Sequence, residues 1–337
     1  MQEVIQTPVK NEPSKGEKFL RALKKQNGWL FVMPALIIMA VFTFYPIISA
    51  LVTAFLEGYN GLEGAASIEG FGFGNFRDVV MSTAPVPADF VICLENTLLF
   101  ALISVPLSTL LALLISVALN SIKSLQKAYQ TLFFLPYLTN SLAMGAVFAT
   151  FFNIVSTGNH IETVGLFNNF LGLFGIEPIN WINAYSSAIG QYFNPWAGRF
   201  VVIVFEIWSG LPFKILIIFS ALQSVNKQYY DAAKVDGATK YRTLTKITVP
   251  LISPTLSYLL VTGIMGGLKS YSAIVGLFNP KMGPNEDYEM GTMVGYIYGC
   301  ISSGATGAAS AGSLILFAII MVFTAINLWV SKKKVHY

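Results

Sequence analysis

Charged residues are scarce in this sequence of 337 residues. Asp, Glu, Lys and Arg together make up 11% of it, whereas hydrophobic residues make up 54%. Soluble globular proteins usually carry about 25% charged residues. This scarcity excludes an ordinary soluble domain and indicates an integral membrane protein. In such a protein, a net charge of +4 does not indicate a nucleic-acid partner.

The residues that build metal sites and catalytic sites are also few. Cys93 and Cys300 lack the spacing of a zinc site or a disulfide framework, and the two histidines, His160 and His336, are isolated. A membrane-embedded enzyme would need a cluster of such groups. The phosphate-binding pattern G-x-x-x-x-G-K-[ST] does not occur, and the glycine-rich stretch "GFGFGNF" (70–76) lacks its lysine. We therefore expect no enzymatic activity, metal or cofactor on this chain.

Long apolar runs are abundant. Crossing a bilayer as a helix takes about 20 residues, and six runs are long enough: 29–56, 91–119, 131–153, 199–223, 252–279 and 308–330. Pro34, Pro46, Pro106 and Pro136 lie within these runs and predict kinks. The sequence thus predicts an all-α integral membrane protein with six transmembrane helices.

The basic residues fix the predicted orientation. Most of the 21 Lys and Arg residues fall on the segments 1–28, 120–130, 227–246 and 331–337, which alternate with acid-rich connectors. Basic loops stay in the cytoplasm, so both termini are predicted to be cytoplasmic.

The same pattern divides the chain into regions. Residues 1–28 form a cytoplasmic tail, in which "KFLRALKKQNGW" predicts a helix lying on membrane lipid. Residues 29–330 form the transmembrane domain, with a cytoplasmic segment at 224–252, and residues 331–337 form a basic cytoplasmic tail.

The cytoplasmic segment contains the stretch "YYDAAKVDGATKYRTLTKITVP" (229–250). It predicts two short helices around a turn: Gly237 is typical of a helix end, Thr239 of an N-cap, and Pro250 of the end of the second helix. Surface alanines at 232 and 233 would fit another protein's groove. The alternative is a loop that only joins two spans, although connectors this long are usually functional.

A family pattern distinguishes the two interpretations. The stretch resembles the motif Glu-Ala-Ala, three residues, Gly, nine residues, Ile, one residue, Leu-Pro. Here it reads Asp231-Ala232-Ala233, Gly237, Ile247 and Val249-Pro250, with conservative changes at 231 and 249. This motif marks permease subunits of bacterial binding-protein-dependent ABC importers. The stretches "ENTLLFALISVPLSTLLALLISVALN" and "TLFFLPYLTNSLAMGAVF" resemble the second and third spans of the sugar-type subgroup, which includes maltose, multiple-sugar and glycerol-phosphate-like systems.

The resemblance implies a type I ABC importer permease fold in the bacterial inner (plasma) membrane. It implies several partners: a second homologous permease, two ATPase subunits that bind ATP and Mg²⁺, and an extracytoplasmic solute-binding protein. The motif would be the coupling helix that docks into the ATPase, through Asp231, Ala232, Ala233, Gly237, Ile247 and Pro250.

The implied function is carbohydrate uptake, of a mono- or oligosaccharide, driven by ATP hydrolysis in the partners. A glycerol-phosphate-like polyol is the alternative solute. An ion-coupled transporter is disfavoured because such proteins commonly carry internal repeats, and none is visible.

Three charged residues stand out within the predicted spans, where charges usually face a cavity or the bundle interior. Lys214 is close enough to the cytoplasmic end to extend there. Glu206 and Lys269 are predicted at similar depth. They form either an ion pair that locks two helices or a substrate site. In the second case Ser209, Gly210 and Ser270 would line the site, and Trp208 or Tyr271 would stack on a sugar ring. In the resembling family, substrate-lining positions fall on these two helices.

Overall fold

The computed structural model describes residues 29, 31–84, 88–122, 126–157, 160–187 and 189–334. The chain divides into two compact units, 1–52 and 53–337. Helix α1 (Phe31–Ala54) provides nearly all of the described part of the first unit. A π-helical turn at Ala40–Phe44 interrupts it just before Pro46, a residue that cannot donate a backbone hydrogen bond.

The second unit is mostly helical. Its helices are α2 (Gly74–Val80), α3 (Phe90–Ser121), α4 (Gln126–Phe134), α5 (Ser141–Phe152), α6 (Gly165–Gly172), α7 (Pro195–Ser224), α8 (Lys227–Val235), α9 (Lys240–Leu251), α10 (Ser253–Gly267), α11 (Ser272–Leu277), α12 (Met293–Ser302) and α13 (Thr306–Lys334). Three antiparallel hairpins lie between them: β1 (Leu56–Glu57) with β2 (Gly70–Phe71), β3 (Val155–Thr157) with β4 (His160–Thr163), and β5 (Tyr185–Ser186) with β6 (Gln191–Tyr192).

Four described helices are long and apolar enough to cross a membrane: α1, α3, α7 and α13. Two further spans are bent. Residues Gln130–Leu138 meet α5 at 105°, and α9 meets α10 at 68°. The described chain thus has four spans, or up to six if each bent pair is one span. A helical membrane protein is confirmed, whereas the number six and the orientation stay predictions.

The prolines act differently from one another. Pro136 lies in a 3₁₀ turn (Leu135–Leu138) at the sharpest bend. Pro106, by contrast, lies inside the uninterrupted helix α3. A proline inside a span is tolerated where neighbouring groups satisfy the freed backbone, so its position alone does not decide where a helix breaks.

The predicted run 252–279 is wrong as a single helix. Helix α10 ends at Gly267, and the chain resumes helical structure only at Ser272. Lys269, Ser270 and Tyr271 therefore lie in a break between two helices.

Close packing of α3 against α7 and α10 forms the centre of this unit. Ser116 of α3 donates a hydrogen bond to the Ile215 carbonyl of α7 at 3.1 Å. On α10, a Cβ added at Gly263 would lie 2.7 Å from Val105 Cγ1, and one at Gly267 would lie 3.1 Å from Ala101. These glycines allow the close backbone approach that small residues give in membranes.

Candidate functional site

The segment 224–252, which was predicted to be cytoplasmic, folds as two capped helices around a glycine turn. Asn226 begins α8 by accepting a hydrogen bond from the Gln228 N–H at 3.0 Å. Thr239 begins α9 by accepting one from the Arg242 N–H at 3.3 Å. Between the two helices, Gly237 has φ +66°, a left-handed conformation that glycine adopts without steric cost. The predicted helix–turn–helix is confirmed.

Helix α8 has an exposed face and a buried face. Asp231 and Ala232 are exposed, and Val235 is 89% exposed. Ala233 is only 5% exposed, so its predicted surface position is wrong. Ala233 lies three residues after Tyr230, which puts both on one side of the helix, and that side faces the rest of the chain.

Asp231 carries the charge on the exposed face. Its carboxylate lies 3.2 Å from Lys234 Nζ, with both side chains largely exposed. An exposed pair of this kind contributes about 0–1 kcal/mol. The carboxylate is therefore free to exchange this contact for another.

The remaining motif residues lie on α9. Ile247 is half-buried and Pro250 is exposed. A π-helical turn at Leu244–Thr248 precedes Pro250. Thr248 lies within 3.4 Å of the Tyr230 hydroxyl, which joins the buried faces of the two helices.

A second feature is a cavity of about 230 Å³ among α3, α7, α10 and the turn that holds Tyr137. Its walls are formed by Phe100, Ser104, Val105, Ser108, Tyr137, Glu206, Ser209, Gly210, Phe213, Lys214, Gly263, Gly266 and Gly267. Glu206, Gly210 and Phe213 lie three or four residues apart, which places them on one face of α7.

Three of the predicted substrate residues line this cavity: Glu206, Ser209 and Gly210. Ser270 contacts it indirectly, because its hydroxyl donates a hydrogen bond to the Glu206 carboxylate. The Ser270 carbonyl in turn accepts a hydrogen bond from Thr292 at 2.8 Å, which fixes the position of the break after α10.

The other three predicted residues lie elsewhere. Trp208 packs against Phe148, with ring centroids 5.8 Å apart, because it is two positions from Glu206 and on another face of α7. Tyr271 stacks on Tyr298 at 4.5 Å. Lys269 is exposed and makes no ion pair with Glu206 in the described structure. The predicted ion pair is therefore not present.

Lys214 is a correction to the sequence analysis. It does not extend to the cytoplasmic side: it is only 7% exposed and lines the cavity. Its ammonium donates to the Val105 carbonyl at 3.1 Å and to the Ser108 hydroxyl. Helix α7 continues for ten residues beyond it, about 15 Å, so oxygens of α3 are the nearer partners.

Sequence reasoning missed a polar network at the start of α3 and α7. Arg199 lies 3.1 Å from Glu95 and donates to the Asn96 side chain at 2.9 Å. Asn96 donates to the carbonyls of Glu289 and Gly291, each at 3.0 Å. The signal was present, because Glu95 and Arg199 are charged residues inside predicted apolar runs.

Comparison with known proteins gives three consistent results. Residues 98–336 match the family described as "Binding-protein-dependent transport system inner membrane component". The chain is 32% identical to a probable ABC transporter permease protein of Mycoplasma genitalium, over 86% of this chain and 81% of that one. It is 27% identical to the arabinooligosaccharides transport system permease protein AraP of Bacillus subtilis, over 91% and 89%.

The third result concerns the fold. A chain in the crystal structure of a bacterial alginate ABC transporter, in complex with an alginate pentasaccharide-bound periplasmic protein, superposes with a TM-score of 0.74. The match covers 94% of this chain and 98% of that chain at 23% identity. At this identity the similarity establishes the fold.

Proposed function

The chain belongs to the family of binding-protein-dependent transport system inner membrane components, and we propose that it forms, with a second permease, the path by which an ABC importer takes up a carbohydrate. Members of this family are transport proteins of the inner membrane rather than enzymes. ATP hydrolysis, with its Mg²⁺, would then take place in two partner ATPase subunits, and an extracytoplasmic solute-binding protein would deliver the solute.

The observation that carries the proposal is the cytoplasmic segment between α7 and α10. Two capped helices enclose Gly237 at φ +66°, and Asp231, Ala232 and Val235 are exposed. A small residue beside a mobile carboxylate suits close approach by a partner protein. In the proposed arrangement this exposed face docks into the ATPase, and Gly237, Ile247 and Pro250 shape the segment. Ala233 lies on the buried face of α8, where its small side chain lets α8 pack closely against the rest of the protein.

The cavity supports the proposal of a solute path. It lies between α3, α7 and α10. Its lining combines a carboxylate, hydroxyl groups, glycines that leave the backbone accessible, and the aromatic rings of Phe100 and Tyr137. Hydroxyl-rich solutes need such donors and acceptors. We propose that Glu206, Ser209 and Gly210 contact the solute and that Ser270 orients the Glu206 carboxylate.

The fine topology is part of the same proposal. Each bent pair would count as one span, which gives six spans in the type I arrangement with both termini in the cytoplasm. Residues 224–252 would be the coupling segment, whereas the tail predicted for residues 1–28 lies outside the described residues.

A carbohydrate is the proposed solute class because AraP, a relative that aligns along nearly the whole chain, is named for arabinooligosaccharides. The coupling proposal is tested by cross-linking. A cysteine at exposed Ala232 should cross-link to the ATPase subunit in the purified complex, whereas one at Glu63, in an exposed outer loop, should not. Cross-linking of both or of neither would contradict the proposed docking face.

A further inference from the structure

Lys214 is a buried cation that makes no ion pair among the described residues. It is 7% exposed, and its ammonium donates to the Val105 carbonyl and the Ser108 hydroxyl, which are both neutral oxygens. No carboxylate of the described residues lies within ion-pair distance of it. A lysine has three N–H donors, so one remains available. Removing a charge from water is costly unless an opposite charge compensates it.

The one carboxylate in the cavity wall, that of Glu206, interacts electrostatically with the Lys214 ammonium but does not come within ion-pair distance of it. Glu206 lies eight residues before Lys214 on α7, about 12 Å along the helix axis. Its carboxylate already accepts a hydrogen bond from Ser270. The cavity therefore has an acceptor end at Glu206 and a donor end at Lys214.

Ser104 is a second unsatisfied group at this cavity. It is 4% exposed and lines the cavity, and its hydroxyl has no hydrogen-bond partner among the described residues. Other hydroxyls of α3 behave differently: Thr97 and Thr109 donate to carbonyls of the preceding turn. Ser104 lies one turn from Ser108, which contacts Lys214, so both serines are on the same side of α3.

Gly210 keeps the ammonium open to the cavity. A Cβ at this position would lie 3.8 Å from Lys214 Nζ and 3.7 Å from Ser108 Oγ, so a larger side chain would cover the donor end. The cavity volume of about 230 Å³ is below the roughly 300–1,000 Å³ of drug-sized ligand pockets. It thus suits one sugar-sized unit.

We propose that Lys214 and Ser104 bind an anionic group of the transported solute, a carboxylate or a phosphate monoester, while Glu206 accepts hydrogen bonds from its hydroxyls. The solute is then an acidic sugar or a sugar phosphate rather than a neutral sugar. This inference rests on the proposed function of the cavity as the solute path. It assigns Lys214 as a residue that determines specificity.

The test is equilibrium binding to the complete permease–ATPase complex in lipid nanodiscs. The probes are radiolabelled glucose, glucuronate and glucose 6-phosphate, which share a ring and differ in charge. We expect at least one acidic probe to bind tenfold more tightly than glucose. Whether glucuronate or glucose 6-phosphate is preferred identifies the carboxylate or the phosphate.

Variants then locate the anion. Lys214→Met should remove the preference for the acidic probe, and Ser104→Ala should weaken binding of the acidic probe more than binding of glucose. Lys281→Met, which removes an exposed lysine of the outer loop, is the matched control and should change nothing. If the Lys214→Met complex does not assemble, two results still test the inference: the preference of the wild type for an acidic probe, and the weaker binding of that probe by Ser104→Ala.

Two outcomes overturn the inference in distinguishable ways. If the wild type binds glucose as tightly as both acidic probes, and Glu206→Gln weakens glucose binding, the anion site is wrong while the sugar path stands. If none of the three probes binds, both the inference and the proposed role of the cavity fail.

Discussion

Ser270 donates a hydrogen bond to Glu206, which connects the break after α10 to the middle of α7. The two residues are 64 positions apart, and the segment 224–252 lies between them in sequence. A movement of that segment would therefore act on α7, which bears Glu206, and on α10, which leads to the break at Ser270. This relationship gives a physical route from the proposed ATPase contact to the cavity.

The first prediction concerns Glu206. Glu206→Gln keeps the size and one acceptor oxygen but removes the charge. Hydrogen bonds to charged groups contribute about 1.5–3 kcal/mol, so solute affinity should fall by about tenfold to a hundredfold. The measurement is uptake by reconstituted complex over a range of solute concentrations. Glu63→Gln, at an exposed position that does not line the cavity, is the control, and an equal loss in both variants would show that the cavity is not the path.

The second prediction concerns Gly237. A left-handed conformation costs a non-glycine residue roughly 1–2 kcal/mol, and no atom lies within 4 Å of a Cβ added here. Gly237→Val should therefore act through backbone strain alone. It should lower the equilibrium constant for the native turn conformation by about five- to thirtyfold. ATP-dependent uptake should fall while the protein still inserts into the membrane.

Gly237→Asn is the matched variant, because asparagine tolerates the left-handed region better than valine does. It should retain most of the uptake. Normal ATP-dependent uptake by Gly237→Val would show that this turn is not part of the coupling segment.

The helix–turn–helix of the segment 224–252 could be predicted from the sequence because its caps and its turn are local features. Thr239 and Gly237 form a cap and a turn with neighbours a few residues away; the cap at Asn226 is equally local but was not predicted. The exposed or buried state of Ala233 was not predictable in this way, because it depends on how α8 lies against the rest of the chain.

The cavity was predicted only in part. Glu206 was predicted as a charge within a span and Gly210 from the family resemblance, and both do line the cavity. Lys269 was placed by extending a helix that in fact ends at Gly267. The position of Lys214 depends on oxygens of α3 that lie more than 100 residues away in sequence, and no local pattern encodes that contact.

The third prediction is the topology. Single cysteines replacing Glu63 and Lys240, both exposed, should react with a membrane-impermeant thiol reagent from opposite sides. The native Cys93 and Cys300 are buried and should give little background. Labelling of both positions from outside intact cells would be incompatible with the proposed orientation.

The fourth prediction concerns the polar network near the N-terminal ends of α3 and α7. Arg199 is 9% exposed, so Arg199→Met should leave the Asn96 oxygen without its donor and lower stability by about 1.5–3 kcal/mol. Glu95→Gln should cost less, because the Glu95 side chain is 53% exposed. Thermal denaturation of the purified complex compares the two, and equal effects would rule out the buried hydrogen bond as the main contribution.

The central claim is that this chain is a permease coupled to ATP hydrolysis in partner subunits. The most direct test is uptake into liposomes that contain the complete complex, with the solute-binding protein and a panel of labelled neutral and acidic sugars outside. The account predicts that a sugar accumulates only when ATP is supplied on the ATPase side, and that an imposed proton or sodium gradient has no effect. Accumulation driven by an ion gradient without ATP would contradict it.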